Sequence, residues 1–466
     1  MSPQPFWFAD ALAQEASAAL PPLQGEHTAD VCIVGGGFTG LWTAIQTRLK
    51  RPDWRIVLLE KGRCGGGASG RNGGCMLTWS TKYASLCHYF GEREAAWLLR
   101  ASEQAVFDIA SFCQQHGIDA DLRLGGAVYA ASNAAQQGRL QPVLQQLEQV
   151  GLNRWQALDD PATQARSGSA LMRDGAWTDA AGSVHPGKLV RGLLRVARVL
   201  GVEVHEHSPV QAVKGSQPVQ VSTDQGILHA PRVVLALNAE TPALLPQFAR
   251  HLLLVSSDMI ITEPAPAQIA ALGLDQGQAV CDLRTFVHYW RSTPDGRLML
   301  GKGGNLLPFG NRLHPAFDAP SRYQPMLHHA LRRFFPSLAS VPLARSWTGA
   351  SERSASGLPC FGELPRQRGV YYGFGYSGNG VVQSHLGGQI LSSLLLDEDN
   401  IWTRSGLAQG PQASFPAEPI RWLGAQLVRG AIRRVEAAED RNQASRWLDR
   451  KLAGLASMAG KADARH

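Results

Sequence analysis

Gly35, Gly37 and Gly40 stand in G-x-G-x-x-G spacing within DVCIVGGGFTGLWTAIQTRL, residues 30–49, and Glu60 follows twenty positions past the last of them. Such glycines let a pyrophosphate approach the main chain, and an acid at that distance holds a ribose hydroxyl pair. The chemistry implied is dinucleotide binding, with Phe38, Thr39 and Lys61 beside the contacts. A second stretch, GRCGGGASGRNGGCMLTWS at 62–80, carries seven glycines in the thirteen positions from Gly62 to Gly74. So bare a backbone marks a surface against which something bulky lies. A third, GYSGNGVVQSHLGG at 375–388, places glycines ahead of a helix starting near Asn379 or Gly380. That helix start offers N–H groups and a positive dipole end to negative charge that develops during a reduction. On the run Phe286–Arg291, alternation sets Phe286, His288 and Trp290 on one face and Val287, Tyr289 and Arg291 on the other. Tyr289 and Arg291 are the expected pocket pair, with Arg291 a fork for a carboxylate or phosphonate. His288 is the remaining titratable candidate, although a histidine on a sheet more often packs than reacts.

These residues need elements to position them. Cys32, Ile33 and Val34 fit a buried parallel strand, Leu41, Ala44 and Ile45 recur at helical spacing, and Ile56–Leu59 is a second apolar strand. Helices are expected at 92–118 and 134–150, a strand at Gly125–Ser132, and a helix after His185-Pro186 leading to a strand at Val202–Val204. Val210–Ala239 reads as a β-meander closed by the strand Val233–Leu237, with turns at Gly215, Pro218 and Gly226. Residues 250–305 alternate as strands, with a hairpin turn at Pro294-Asp295-Gly296. Nucleotide-type elements at the start, middle and end imply an α/β fold: a discontinuous Rossmann-like domain from 25–95, 181–248 and 345–400. A mixed-sheet substrate domain would be built from 96–180 and 249–344. In the tail, 401–466, Ile420, Leu423, Leu427, Ala431 and Val435 follow helical spacing near Arg421, Arg429, Arg433 and Arg434. The expectation is a helix packed by its apolar side with a solvated basic face, and contact with an anionic membrane surface is the alternative.

The 466 residues, 44% hydrophobic and 18% charged, suit a soluble globular protein with two or three domains. A net charge of +7 is not accompanied by aromatic residues among basic clusters, so nucleic acid is not an expected partner. Seven scattered cysteines lack metal-ligand spacing and point to a reduced, cytoplasmic protein with no metal site. The N-terminus has no basic region before its apolar residues and does not read as a secretory signal.

One glycine turn serves NAD or FAD alike; a nicotinamide enzyme has no need of the second and third glycine stretches. The order of blocks resembles the FAD-dependent oxidoreductases of the D-amino-acid oxidase, glycine oxidase and sarcosine oxidase superfamily. The likeness takes in Phe6-Trp7, DVCIVGGGFTGL, VVLALNAETPALLP at 233–246, YWR at 289–291 and GYSGNGV at 375–381. GASGRNGG, Gly67 to Gly74, is most similar to the amine-oxidising branch that includes γ-glutamylputrescine oxidoreductase. The resemblance implies FAD held by Gly35, Gly37, Gly40 and Glu60 at its ADP half. Ser69, Gly70, Arg71, Asn72, Gly73 and Gly74 would run past the pyrophosphate and flavin, with a phosphate as the partner of Arg71. Val210 would offer its backbone to the adenine, and Asn238 would lie beside the cofactor. Gly375, Tyr376, Gly378, Asn379, Gly380 and Val381 would face the flavin, and Trp347, in SWTGAS, would be the aromatic residue beside it.

The implied reaction is hydride transfer from the α-carbon of a neutral amine or amino acid to flavin N5. The imine formed hydrolyses to a carbonyl compound and ammonia or a smaller amine. No cysteine falls where some relatives tether flavin, so FAD is expected to be noncovalent. Where oxygen-using relatives place a lysine this chain has Met299, with Lys302 three positions on, which leaves oxygen or another acceptor open. GKGGN, 301–305, resembles relatives that act on aminophosphonates, the alternative substrate class. A flavin-holding module without turnover is the alternative of another kind.

Overall fold

The computed structural model describes residues 4–15, 18–456 and 463. Val31–Val34 and Ile56–Leu59 are buried at every position and pair in parallel, as strands covered on both faces must be. Alternate residues go to different layers. Val31, Ile33, Ile56 and Leu58 pack with Leu41 and Ile45 of the helix Phe38–Lys50, Leu189 of Pro186–Val199 and Val382 of Gly380–Leu395. Cys32, Val34, Val57 and Leu59 pack with Val219, Val221 and Leu228 of a small four-stranded sheet on the opposite side. Arg232–Leu235, Val370–Phe374 and Glu203–His205 extend the parallel set, and Cys360–Glu363 closes one edge antiparallel. The six strands thus come from three separated stretches of chain.

The second large sheet has eight strands in the order Leu343–Ser354, Leu252–Thr262, Leu298–Gly303, His288–Ser292, Ala279–Asp282, Ala127–Ala131, Arg173–Thr178 and Trp155–Leu158. Its neighbours run antiparallel apart from Ala279–Asp282 against Ala127–Ala131. One boundary moves from its expected place. Residues 345–354 belong to this sheet, since Arg345–Ser354 pair along Leu252–Ile261, and the chain rejoins the six-stranded sheet only at Cys360. The helical run Tyr83–Gln115 breaks at Gly91, whose φ is 78°, and the second helix, which begins after it as expected near residue 92, runs across position 95.

The tail helix, Ile420–Glu439, is present but inverted relative to expectation. Arg421, Arg429 and Arg433 face the body, whereas Arg434 is exposed and Ala431 is buried as expected. Arg421 is buried and donates to the carbonyls of Ala249 and Leu252, Arg429 donates to the carbonyl of Asn305, and Arg433 to Asn305 Oδ1. Ile420, Leu423 and Leu427 are left exposed. The inversion has a physical reason: the surface beneath the helix presents main-chain carbonyls, which guanidinium groups satisfy and leucines do not.

Candidate active site

A cavity of about 520 Å³ lies between the carboxyl ends of the parallel strands and the eight-stranded sheet, where open α/β sheets bind their ligands. From the first glycine stretch Gly35, Gly37, Phe38 and Thr39 line it, while Gly40 sits behind, against the Gly35 carbonyl. Glu60 is on the wall, its carboxylate accepting the Gly36 N–H at 2.8 Å and the Gly62 N–H at 3.0 Å. Burial raises its pKa above the usual carboxylate range. Lys61 also lines the cavity and pairs with Glu240 at 2.6 Å.

Ser69, Arg71, Asn72 and Gly73 come from the second stretch, with Gly70 packed against Phe8 and Gly74 donating to Asn72 Oδ1 away from the wall. The third contributes Tyr376, Gly378, Gly380 and Val381, whereas Gly375 and Asn379 fall outside the wall. Two bonds tie the stretches together. The Phe38 N–H donates to Ser69 Oγ at 2.9 Å, and Thr39 Oγ1 lies 2.7 Å from the Tyr376 hydroxyl. Val210 and Asn238 complete this end. Asn238 holds a left-handed φ of 50°, and its buried Oδ1 has no partner among the described residues. A buried acceptor awaiting a donor, inside walls made largely of main chain, suits a bound dinucleotide. Arg71 corrects the reading of a phosphate-bound arginine: its guanidinium donates to the Gly66 and Phe317 carbonyls and pairs with Asp318 at 2.6 Å.

At the other end, beneath the eight-stranded sheet, Tyr289 lines the cavity and its hydroxyl meets Ser257 Oγ at 2.8 Å. Its ring fills space left by two missing side chains. A Cβ on Gly73 would stand 2.6 Å from Tyr289 Cε2, and one on Gly301 would stand 2.3 Å from its Cζ. Burial lifts the Tyr289 phenol well above its ordinary pKa, so it stays protonated.

Three expected site residues lie elsewhere. Arg291 is fully buried outside the cavity wall, donating to the carbonyls of Gly73, Ser292 and Val184 and stacked 4.5 Å over the Trp7 ring. Main-chain oxygens use up the fork, because the glycine loop closes over this end of the strand. Trp347 is buried among Trp7, Met259 and Met299, and its Nε1 donates to the Arg71 carbonyl at 2.8 Å. It holds the loop from below. His288, on the opposite face, meets Asp282 at 3.0 Å. Lys302 shares that face, donating to the Phe286 carbonyl and pairing with Glu436 at 3.3 Å, so it too is turned from the cavity.

Burial, reinforced by Lys302, pulls the His288 pKa down to about 4. Turned from the cavity and held by Asp282, His288 is not the site's acid or base. Below its ordinary pKa the unfolded chain takes a proton that the fold refuses, so stability falls with pH between about 6.5 and 4. Thermal unfolding from pH 7 to pH 4 should show this loss, and His288→Gln should make the melting temperature fall less steeply over that range. His385, brought to about 4 by burial, adds in the same direction.

Sequence reading missed the side chains that reach the reacting end. Thr285, Phe286 and Val287 line it from the loop before the Tyr289 strand, and Glu352 and Arg353 from the end of Leu343–Ser354. Glu352 accepts the Tyr376 N–H at 2.7 Å, and burial raises its pKa. Arg353 donates one bond, from Nη1 to the Ser377 carbonyl. Its fork stands between Gly378 and Gly303, with Nε and Nη2 lacking a protein acceptor among the described residues. Burial lowers its pKa, yet an arginine keeps its charge. The only signal was a Glu-Arg pair following the small residues Thr348–Ser351 near the end of a strand.

Comparison with known proteins agrees with this geometry. The family model described as DAO, FAD dependent oxidoreductase, matches residues 30–394. The chain is 30% identical over 380 residues to γ-glutamylputrescine oxidoreductase of Escherichia coli (strain K12), covering 81% of this chain and 86% of that protein. It is 24% identical over 386 residues to glycine oxidase of Geobacillus kaustophilus (strain HTA426), covering 79% and 93%. The crystal structure of glycine oxidase from Geobacillus kaustophilus superimposes with a TM-score of 0.65 over 80% of this chain and 96% of that one, at 21% identity. Glycine-lined walls joining three stretches of chain, and a matched span that contains all three, lead to one assignment: the chain belongs to the DAO family of FAD-dependent oxidoreductases.

Proposed function

We propose that the protein oxidises the C–N bond of an amine or amino acid that also bears an anionic group, as γ-glutamylputrescine does. The product is an imine that water converts to a carbonyl compound and ammonia or a smaller amine. The observation that carries this reading is Arg353, a half-buried guanidinium on the cavity wall with donors to spare. FAD, held by the glycine walls and Glu60, supplies the hydride acceptor when bound.

The chain's own residues position and shield. Arg353 draws in the anionic end of the substrate, while the Tyr289 hydroxyl, fixed by Ser257, offers a neutral hydrogen bond. The N-terminus of Gly380–Leu395 adds positive dipole at the wall. No histidine lines the cavity among the described residues. Glu352, the carboxylate at this end, is engaged by the Tyr376 N–H, so the amine arrives neutral or surrenders its proton to water. kcat/KM is expected to rise with pH up to the substrate's own ammonium pKa, with a midpoint that moves when the substrate is changed. A midpoint common to all substrates would instead reveal a protein base.

A second reading, an aminophosphonate substrate, is favoured by the same fork, since a guanidinium matches a phosphonate as well as a carboxylate. The test is anaerobic mixing of the flavin-loaded protein with γ-glutamylputrescine, 2-aminoethylphosphonate, glycine, sarcosine, several D-amino acids and amines that carry no anionic group. Bleaching of the flavin band by an anionic amine supports the proposal. Bleaching by uncharged amines alone removes the anion from it.

A further inference from the structure

We propose that the C-terminal helical pair, Ile420–Glu439 and Trp447–Gly454, docks the enzyme onto an anionic lipid surface. This goes beyond the oxidation reaction, and the pair lies C-terminal to the matched family span, 30–394. Ile420, Leu423 and Leu427 on the first helix, and Trp447, Leu448 and Leu455 on and just past the second, are each more than half exposed. The two helices pack on each other, and Arg434 of one meets Asp449 of the other at 2.7 Å.

The first helix is not free to roll and hide its leucines. Arg421, Arg429 and Arg433 bond the body, and Glu436 accepts the Phe286 N–H at 3.2 Å and pairs with Lys302. Charge is sorted across the pair as well. Its carboxylates are engaged: Glu418 by Arg421, Glu436 by Lys302, Glu439 by Arg139, Asp440 by Arg284 and Arg333, and Asp449 by Arg434. Arg450 and Lys451, three and four positions past Trp447, are exposed on its side of the second helix, with Lys451 Nζ 5.1 Å over the Trp447 ring, and Arg446 is exposed at the helix start. From 401 to 466 the chain carries eleven Lys and Arg against six Asp and Glu.

Exposed leucines on the first helix, with a tryptophan flanked by long cations on the second that can extend to headgroups, fit an anionic bilayer surface. A second copy of the chain fits less well, because it would bring the same cations against themselves. No helix among the described residues is long and apolar enough to cross a membrane, so the contact is with the surface.

The experiment is sedimentation of the full-length, flavin-loaded enzyme with vesicles of phosphatidylcholine alone, or of phosphatidylcholine with an equal part of phosphatidylglycerol. The enzyme should sediment with the anionic vesicles and stay in solution with the neutral ones. Two variants, Leu423→Ser with Leu427→Ser and Arg450→Glu with Lys451→Glu, should each reduce partitioning at least about tenfold. These residues are exposed, so flavin content and KM for a soluble amine should not change. Failure to bind anionic vesicles overturns the proposal, as does binding that ignores the leucine pair. A concentration-dependent dimer abolished by the leucine substitutions, without vesicle binding, would assign the face to a second copy instead.

Discussion

Replacing Arg353 with methionine raises KM for an amine bearing a carboxylate or phosphonate by roughly 30- to 150-fold, the loss of about 2–3 kcal/mol expected when one member of a buried, hydrogen-bonded charge pair is removed. For an uncharged amine of similar length, KM should stay within about twofold. Methionine keeps much of the volume of the stem while removing the fork. The protein itself loses one bond, to the Ser377 carbonyl. The neighbouring Arg291→Met sharpens the comparison. Arg291 holds the main-chain oxygens of Gly73, Val184 and Ser292, so its removal should lower the melting temperature and harm both substrates alike. Steady-state kinetics with a matched substrate pair separates the two arginines. If Arg353→Met slows both substrates equally, its role is on the flavin side and the anionic substrate class is lost.

The difference between these arginines shows where sequence reasoning stops. Val31–Val34, Gly35, Gly37 and Glu60 are close neighbours along the chain, and local spacing already dictates a strand, a turn and an acid. The cofactor end of the cavity was legible for that reason. The substrate end is assembled across sheets, and alternation tells only which face of a strand a side chain takes. Tyr289 and Arg291 do share a face, as expected. What separates them is the loop Gly73–Gly74, more than two hundred positions away, which leaves Tyr289 on the cavity wall and covers Arg291. Arg353 escaped notice for the complementary reason, since its environment depends on Gly303 and Gly378 from two other segments. The tail repeats the lesson. Its periodicity identified a helix, but the surface beneath it, rich in carbonyls, selected the arginine side.

Gly37→Val should produce a folded protein that is purified nearly colourless and binds FAD at least about 100-fold more weakly. Gly37 has φ −88° and ψ −172°, backbone that valine adopts without strain, so the effect is one of space. A Cβ there would lie 2.9 Å from Ser69 Oγ, the atom that receives the Phe38 N–H and joins the first glycine stretch to the second. The added methyls must either push Ser69 away or project into the cavity where the helix Phe38–Lys50 begins, and both outcomes obstruct a pyrophosphate at that helix N-terminus. Gly303→Ala is the matched control at the other end. Its Cβ would stand 3.6 Å from Arg353 Nη2, ordinary van der Waals contact, so flavin content should remain full while KM for anionic amines shifts. Flavin absorbance per protein, with circular dichroism to confirm folding, reads both variants. A yellow, stoichiometrically loaded Gly37→Val protein would mean that the cofactor does not cross this turn, and the division of the cavity into a nucleotide end and a substrate end would have to be redrawn.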